Sequence, residues 1–561
     1  MSEPLFEFDA AAVLAWARLA TAGLRTERAR IDDLNVFPVA DSDTGTNLLL
    51  TFVDGATALE EHLATAQVSA RATEGRSLAL VEDGAAVASD DAVGAGEALG
   101  VLARAALRGA RGSSGTILSQ ILLGFATEVS DQKVIHRFEF ARALTRAADT
   151  AWEAVSTPVP GTILSVVRSA AEAATELEGT ASAVIARTVS AARSALIATQ
   201  SQLPVLQRAG VVDAGGSGLV ILFEALLAAV KGQEELPARA ADGLPGRKPV
   251  TDTPPVSHEL VPITGTNELR EHLHPDSHRV DGEFEVMFLV DDDSPQAGGQ
   301  LRARLQEIGS SVVVVGGAGL WQVHVHCDDV LSALAVTEQH RRHQIAVHHL
   351  PTLVAREQGR DIGLVLCTRS PGLAGELARS GAVVVVTQGD DSVSKEQIAR
   401  AVVDSGAREV VILTARPASR ETARAINPPP GIELRVMEPT GEAYLLAAAA
   451  VHQPLRTAEH DPIAAITDAV ARVITTSGDA YTVSGGDEFA PWLRENLGEG
   501  ELLTAIITSA EMAPTADAAQ SHVASSLSEL GHVSALCDDL NVELDVLYGG
   551  QEFPAVIWSV E

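Results

Sequence analysis

The chain has 561 residues, of which 46% are hydrophobic, and a formal net charge of −34. That apolar fraction is ample for buried cores, and the length suits roughly three or four domains of ordinary size. The strong negative charge argues against nucleic acid or an anionic membrane as a partner.

Targeting and redox signals are also weak. No run of about 18 uncharged apolar residues occurs, so we expect no transmembrane segment. The first residues, MSEPLFEFDA, lack the basic region of a signal peptide. Three scattered cysteines, Cys327, Cys367 and Cys537, argue against a disulfide framework. We therefore expect a cytoplasmic protein.

Lysine is scarce, and this limits how the chain could bind ATP. The lysines are Lys133, Lys231, Lys248 and Lys395, and none of them follows a glycine. A Walker A motif, which requires Gly-Lys-Ser/Thr, is therefore absent. ATP binding would have to use a carboxylate-held metal ion and backbone amides.

Residues 1–232 are predicted to be helical. After an amphipathic stretch from Phe8 to about Arg30, the loop Asn35–Asn47 carries Asp41 and Asp43 one residue apart, which suits a hard cation. Thr44 or Thr46 can cap the next helix, predicted to run through Glu60, and its free N–H groups would attract an anion. The alternative is an Asx-rich turn with an N-cap.

The same local format recurs three times. Small-residue loops open apolar helical runs at Gly109–Thr116, Thr157–Thr162 and Gly210–Gly218. Glycine allows close backbone approach to a ligand, and hydroxyls and free N–H groups bind phosphate. Four such starts at one end of a bundle would form a nucleotide pocket, whereas each alone could be a simple helix–helix turn.

These motifs resemble the dihydroxyacetone kinase L-subunit (DhaL) domain, and the Asn-Val-Phe-Pro-Val context is similar to the A subunit of bacterial fatty acid kinase. The resemblance implies an eight-helix barrel that binds ATP and two Mg²⁺ ions at one rim. It places the metal on Asp41 and Asp43, with Asn35 as a weaker third ligand where the dihydroxyacetone enzymes have an aspartate. It implies nucleotide contacts from Thr44, Gly45, Thr46, Asn47, Ser113, Ser114, Thr162, Asp213, Ala214 and Gly215.

Two departures lie inside these motifs. Ser42 stands where the family commonly has glycine between the aspartates, and Ser113 stands where asparagine is usual. Both residues are small and polar, so ATP binding is expected to survive, although the Ser42 Cβ could crowd the phosphates.

Residues 233–258, rich in proline, glycine and charge, are predicted to be a linker. Residues 259–355 are predicted to form a small α/β domain with strands at 283–290, 311–315 and 320–327 and helices at 297–308 and 330–340. Alternation along the third strand places His324 and His326 on one face.

The histidine pair has two interpretations. It is either a solvent-facing pair on a half-buried strand or part of a metal site. This stretch resembles the middle domain of the fatty acid kinase family, in which a His-x-His motif and a cysteine imply structural Zn²⁺. Here Glu285 occupies the cysteine position, and a carboxylate can also bind zinc.

Residues 356–561 alternate strand-like and helical runs, which predicts an α/β domain with a mainly parallel sheet. Ligands of such sheets lie at the carboxyl ends of the strands, here the loops 387–392 and 414–417. The weaker resemblance in this part implies docking of a fatty-acid-binding carrier protein, and a homodimer through a later domain.

The leading hypothesis is ATP-dependent phosphoryl transfer to a fatty acid carboxylate presented by that carrier. One alternative is a glycerone kinase in the dihydroxyacetone manner. Another, of a different class, is a non-catalytic nucleotide sensor or scaffold.

Overall fold

The computed structural model describes residues 8–39, 42–77, 93–176, 180–236, 282–317, 319–338, 341–354, 362–387, 393–429, 431–452, 461–473, 502–507, 543–548 and 556–560. Contacts divide the chain into two units. The first comprises Met1–Val280, Asp292–Gln306 and Ser311–His324, and the second comprises Asp281–Asp291, Glu307–Ser310 and Val325–Glu561. The predicted linker 233–258 lies mostly outside the described residues and stays a prediction.

The first unit begins with nine helices among the described residues. They are α1 (Ala10–Asp33), α2 (Thr44–Ser77), α3 (Ala95–Arg108), α4 (Gly112–Glu128), α5 (Arg137–Ala154), α6 (Ile163–Ala174), α7 (Ala181–Gln202), the short α8 (Pro204–Ala209) and α9 (Ala214–Val230). Consecutive helices from α1 to α7 pack side by side, and α9 packs against both α7 and α1. The helical arrangement expected from the sequence is thereby confirmed, with α9 closing a ring.

The amphipathic pattern explains how the ring encloses its core. In α1 the Asp9 side chain accepts the Ala12 N–H at 2.8 Å, and the apolar positions Val13, Trp16 and Leu24 are buried. The indole of Trp16 meets the ring of Phe52 edge to face at 5.4 Å. Inside lies a cavity of about 60 Å³ lined by apolar side chains.

Eight strands form one sheet in the order β2-β3-β1-β4-β6-β5-β7-β8. They are β1 (Phe284–Asp292), β2 (Ser310–Gly317), β3 (Gly319–Cys327), β4 (Arg342–His349), β5 (Ile362–Thr368), β6 (Val383–Val386), β7 (Glu409–Thr414) and β8 (Glu433–Thr440). Strands β6, β5, β7 and β8 are parallel, while β4 is antiparallel to both β1 and β6. The sheet is therefore mixed and includes strands from both predicted α/β segments.

Helices connect these strands, and a second sheet follows. The helices are α10 (Ala297–Ile308), α11 (Val330–Leu334), α12 (Leu350–Val354), α13 (Ala374–Arg379), α14 (Lys395–Asp404), α15 (Pro417–Arg424), α16 (Glu442–Val451) and α17 (Pro462–Arg472). Strands β9 (Leu502–Ile507), β10 (Glu543–Tyr548) and β11 (Val556–Val560) pair in the order β10-β9-β11. Among the residues described, no helix is long and apolar enough to cross a membrane.

Three local predictions need correction. The helix expected to end near Glu60 continues to Ser77, through a segment rich in alanine and long polar residues that favour helix. The helix expected over 330–340 ends at Leu334. Strand β4 lies where no strand was predicted, because in its sequence RHQIAVHH only Ile345 and Val347 are β-branched and the other residues are mostly polar.

Candidate functional site

The structure places the predicted nucleotide-binding residues at four helix starts, all in the first unit. Thr44–Asn47 form the first turn of α2, Ser113 and Ser114 lie in the first turn of α4, Thr162 is the N-cap of α6, and Asp213 is the N-cap of α9 ahead of Ala214 and Gly215. First-turn N–H groups have no partner within their own helix, so each start offers backbone donors.

The starts of α2 and α4 are in direct contact. A Cβ added at Gly112, where φ is +56°, would lie 2.4 Å from Asn47 Nδ2. One turn later, a Cβ at Gly115 would lie 2.3 Å from the hydroxyl oxygen of Thr51. That hydroxyl also accepts the Arg111 N–H at 3.1 Å. Glycine is thus required for the two helices to approach this closely.

The starts of α6 and α9 are joined through Asp213. Its carboxylate accepts the Gly216 N–H at 2.6 Å and also the Ile163 N–H. The residue is buried, and burial raises the pKa of Asp213 from its ordinary 3.8 to about 6 against the lowering effect of these bonds. Further along α9, a Cβ at Gly218 would meet Leu48 of α2 at 2.3 Å. The four starts are therefore linked, since α2 contacts α4 and α9, and α9 contacts α6.

Two of these helix starts differ in their capping. The Thr162 side chain caps α6 by accepting the Leu164 N–H at 3.4 Å. At α4 the N-cap is Arg111, which makes no side-chain cap. The Ser114 Oγ in that first turn is buried and has no hydrogen-bond partner among the described residues. The start of α4 therefore keeps polar groups available to a ligand.

The predicted metal loop is described except for residues 40 and 41, so Asp41 lies outside the described residues. Asp43 is half-buried directly before α2, and its carbonyl accepts the Asn47 N–H at 2.8 Å. Asn35 is buried at the other end of the loop. Ser42 has a φ of +55°, the left-handed conformation that favours glycine.

Asp32 lies beside this loop and was missed by the sequence reasoning. It is 1% exposed, and its carboxylate accepts both the N–H and the hydroxyl of Thr46 at 2.9 Å. Burial raises the pKa of Asp32, while the bonds from Thr46 and the charge of Arg28 lower it. The Thr46 hydroxyl, predicted to contact nucleotide, therefore donates its hydrogen to Asp32.

Arg111 and Thr51 were also missed as residues that shape the site. Arg111 is buried, and its guanidinium donates to Asp54 at 3.0 Å and to the Gly109 carbonyl at 3.2 Å. The Asp32-Asp33 pair ahead of the loop was the available signal for Asp32. Nothing in the local pattern distinguishes Thr51 from other helical threonines.

The residues predicted for zinc come together on neighbouring strands. Glu285, His324 and His326 are buried, and each offers a ligand atom within 4.8 Å of the others. The register pairs Glu285 of β1 with His348 of β4, and His348 Nδ1 lies 2.9 Å from Glu285 Oε2. The predicted His-x-His face is therefore real and has a carboxylate beside it.

Models of two protein families match parts of the chain that include these residues. A model of the DAK2 domain matches residues 81–228, which include the starts of α4, α6 and α9. A model of the middle domain of fatty acid kinase A-subunit-like proteins matches residues 281–354, which include Glu285, His324 and His326. The chain therefore contains a DAK2 domain and a middle domain similar to that of fatty acid kinase A-subunit-like proteins. These domain matches support a kinase-family protein.

Individual relatives are similar over part of their length. Protein YloV of Bacillus subtilis is 30% identical over 403 residues, covering 68% of this chain and 66% of YloV. An uncharacterized protein of Staphylococcus saprophyticus is 27% identical over 404 residues, again covering 68% of this chain and 66% of the relative. The chain thus spans just under two thirds of the length of these relatives.

Solved structures similar to part of the chain include the dihydroxyacetone kinase from C. freundii in complex with AMP-PNP and Mg²⁺, with 15% sequence identity and a TM-score of 0.26. The match covers 39% of this chain and 33% of that chain.

Proposed function

We propose that the protein transfers the γ-phosphoryl group of ATP to the carboxylate of a fatty acid presented by a separate carrier protein, giving an acyl phosphate and ADP. The observation that carries the proposal is the set of four adjoining helix starts beside the Asp43 loop, in a chain with a middle domain like that of fatty acid kinase A-subunit-like proteins. The proposal extends to ATP and Mg²⁺ as ligands and to the cytoplasm as location.

The start of α4 fits a phosphate group. Its first-turn amides have no side-chain cap, and the buried Ser114 hydroxyl has no protein partner among the described residues. Helix N-termini favour anions because the amides and the helix dipole both present positive charge. In a chain of net charge −34, such local donors are needed to hold a polyphosphate.

The loop residues Asp41, Asp43 and Asn35 would hold Mg²⁺ through oxygen, the donor type that this ion prefers. Mg²⁺ supplies neutralisation of phosphate charge during phosphoryl transfer. Asp43 leads directly into α2, so its carboxylate lies at the same end of the bundle as the four starts.

The transfer itself makes few demands on the protein. A carboxylate oxygen of the acceptor forms a bond to the γ-phosphorus while the bond to the oxygen that bridges the β- and γ-phosphorus breaks, and ADP leaves. Because an ionised carboxylate has no proton to lose, no general base is needed. The site residues act by positioning: Asp213 holds the starts of α6 and α9 together, and Asn47 packs against Gly112 to hold those of α2 and α4.

The test is ATP turnover by the full chain with Mg²⁺, with and without a palmitate-loaded fatty-acid-binding carrier from the same cell. Trapping with hydroxylamine would detect the acyl phosphate as a hydroxamate. We expect carrier-dependent turnover that is lost in Asp41→Ala and Asp43→Ala but kept in Asp33→Ala, since Asp33 is exposed on the last turn of α1.

Two other outcomes would contradict the proposal. Phosphorylation of dihydroxyacetone without a carrier would instead support a glycerone kinase. ATP binding without turnover of any acceptor would support a nucleotide sensor or scaffold. The carrier would dock on the C-terminal residues 356–561, and chemical cross-linking of the full chain to the carrier, with mapping of the linked residues, tests that assignment.

We also propose that Glu285, His324 and His326 hold a structural Zn²⁺ ion. Three buried ligand atoms within 4.8 Å suit a small tetrahedral site, and the contact with His348 would orient the Glu285 carboxylate. Metal analysis of the purified protein should find about one zinc per chain, and less in His326→Ala. Equal zinc in both proteins would contradict the assignment. A homodimer through a later domain is a further expectation, which light scattering tests.

A further inference from the structure

Asp32 touches both ends of the metal loop. Its carbonyl accepts the N–H of Asn35, where the loop begins, at 3.1 Å. Its carboxylate accepts the N–H and the hydroxyl of Thr46, just after the loop, both at 2.9 Å. One residue at the end of α1 therefore connects the chain entering the loop with the chain leaving it.

The packing around Asp32 leaves little freedom. A Cβ added at Gly45 would lie 2.2 Å from the Arg28 carbonyl oxygen and 3.0 Å from Asp32 Oδ1. The Arg28 guanidinium donates to the Thr46 hydroxyl oxygen at 3.0 Å and lies 3.5 Å from Asp32 Oδ2. The start of α2 is thus held directly against the last turns of α1, and Gly45 permits the close approach.

The two hydrogen bonds from Thr46 to Asp32 fix the position of the start of α2. Both bonds from Thr46 go to a buried carboxylate, and hydrogen bonds to a charged acceptor are stronger than neutral ones. The Thr46 N–H belongs to the first turn of α2, where no intrahelical acceptor exists. Removing the carboxylate would leave this donor without its partner, so the loop would lose its fixed point at α2.

We propose that Asp32 is a positioning residue for phosphoryl transfer: its carboxylate holds the start of α2 at Thr46, so that the Asp43 carboxylate, three residues earlier, is presented to Mg²⁺ in a fixed arrangement. This inference rests on the proposed function. The Asp32 side chain acts through Thr46, whereas its bond to Asn35 is made by the backbone carbonyl and is common to every variant. Residues that orient metal ligands in this way commonly change metal affinity about 10- to 100-fold when they are replaced.

The experiment compares the full-length variants Asp32→Ala and Asp32→Asn with Asp33→Ala and Asp33→Asn. Asp33 is the matched control because it is the next residue but is exposed. Mn²⁺ affinity is measured by electron paramagnetic resonance, and KM for ATP and kcat are measured separately. Circular dichroism checks that each variant is folded.

We expect Asp32→Ala to weaken Mn²⁺ binding about 10- to 100-fold and to lower kcat more than it raises KM for ATP. Asp32→Asn should lose less, because its side-chain oxygen can still accept the Thr46 N–H. Both Asp33 variants should match wild type. If Asp32→Ala does not fold, Thr46→Val replaces it, since this change removes the hydroxyl contacts with Asp32 and Arg28 but keeps the N–H bond to Asp32.

The outcomes separate the two proposals. Wild-type protein that binds no Mn²⁺ would contradict the proposed function itself. Wild-type binding that folded Asp32→Ala leaves unchanged would overturn only the role of Asp32. Hydrogen exchange without metal gives an independent result: amides of residues 42–50 should exchange faster in Asp32→Ala than in Asp33→Ala, and equal rates would overturn the proposal.

Discussion

Gly115 offers a sharp test of the contact between α2 and α4. Its added Cβ would lie 2.3 Å from Thr51 Oγ1 and 3.3 Å from the Asn47 carbonyl oxygen. Thr51 is fully buried, so its hydroxyl has little room to move aside. Gly115→Ala therefore forces a buried overlap at the centre of the candidate site.

Two effects of opposite sign set the magnitude. Alanine is favoured over glycine in a helix interior by about 1 kcal/mol. Overpacking of a buried contact costs about 1–3 kcal/mol. We expect Gly115→Ala to lower the local free energy of unfolding by up to about 2 kcal/mol. In a Thr51→Ala background the overlap is relieved, so the same change should instead stabilise by about 1 kcal/mol.

Native-state hydrogen exchange is the suitable assay, because a chain with several folded parts need not unfold in one step. Exchange is followed at residues 44–60 and 112–128 in the four proteins of the double-mutant cycle. Gly299→Ala in α10 is the control, since its added Cβ would meet nothing within 4 Å. If Gly115→Ala stabilises its helix as much as Gly299→Ala does, the described contact is wrong.

Three further predictions concern the same unit. Ser42→Gly should raise the local free energy of unfolding by up to about 1 kcal/mol, because it relieves a left-handed serine at a cost of about 1–2 kcal/mol less the extra entropy of glycine. Unchanged or faster hydrogen exchange at the start of α2 would refute the strain. Burial raises the pKa of Asp213 from 3.8 to about 6, so the folded state binds this proton more tightly than the unfolded state does. As the pH falls from 7 to 4, the free energy of unfolding of wild type should therefore rise by up to about 3 kcal/mol relative to that of Asp213→Asn. A pH-independent difference in urea denaturation would contradict this sign. Trp16→Phe removes the hydrogen bond from the indole N–H to the Leu222 carbonyl at 3.0 Å. It should lower the local free energy of unfolding of α1 and α9, measured by hydrogen exchange, by about 1–3 kcal/mol. Unchanged exchange would show that the bond does not contribute.

Local patterns were sufficient for much of the fold. Thr162 stands directly before a long apolar run, so the start of α6 could be predicted to the residue, whereas α9 begins at Ala214 rather than after Gly218, where the loop was expected to end. The apolar runs 362–366, 383–387 and 410–413 likewise predict strands, and the ends of β5, β6 and β7 lie within two residues of these bounds. These elements carry their own signals in sequence.

Long-range pairing could not be predicted in the same way. Strand β4 is polar, and its place between β1 and β6 depends on partners distant in the chain, so the continuity of the eight-stranded sheet was not anticipated. The same holds for the site. The hydroxyl-bearing loops were visible in sequence, but the bonds of Asp32 to Thr46 and of Thr51 to Arg111 depend on how helices pack.

Closure of the helical ring sets an order on its assembly. The Trp16 indole bonds a carbonyl that lies 206 residues later, at Leu222. At ribosomal rates of about 5–20 residues per second, α1 waits roughly 10–40 s for its partner α9. Until then the side chains that line the inner cavity face water, so the nascent chain should depend on a chaperone that covers apolar surface during this interval.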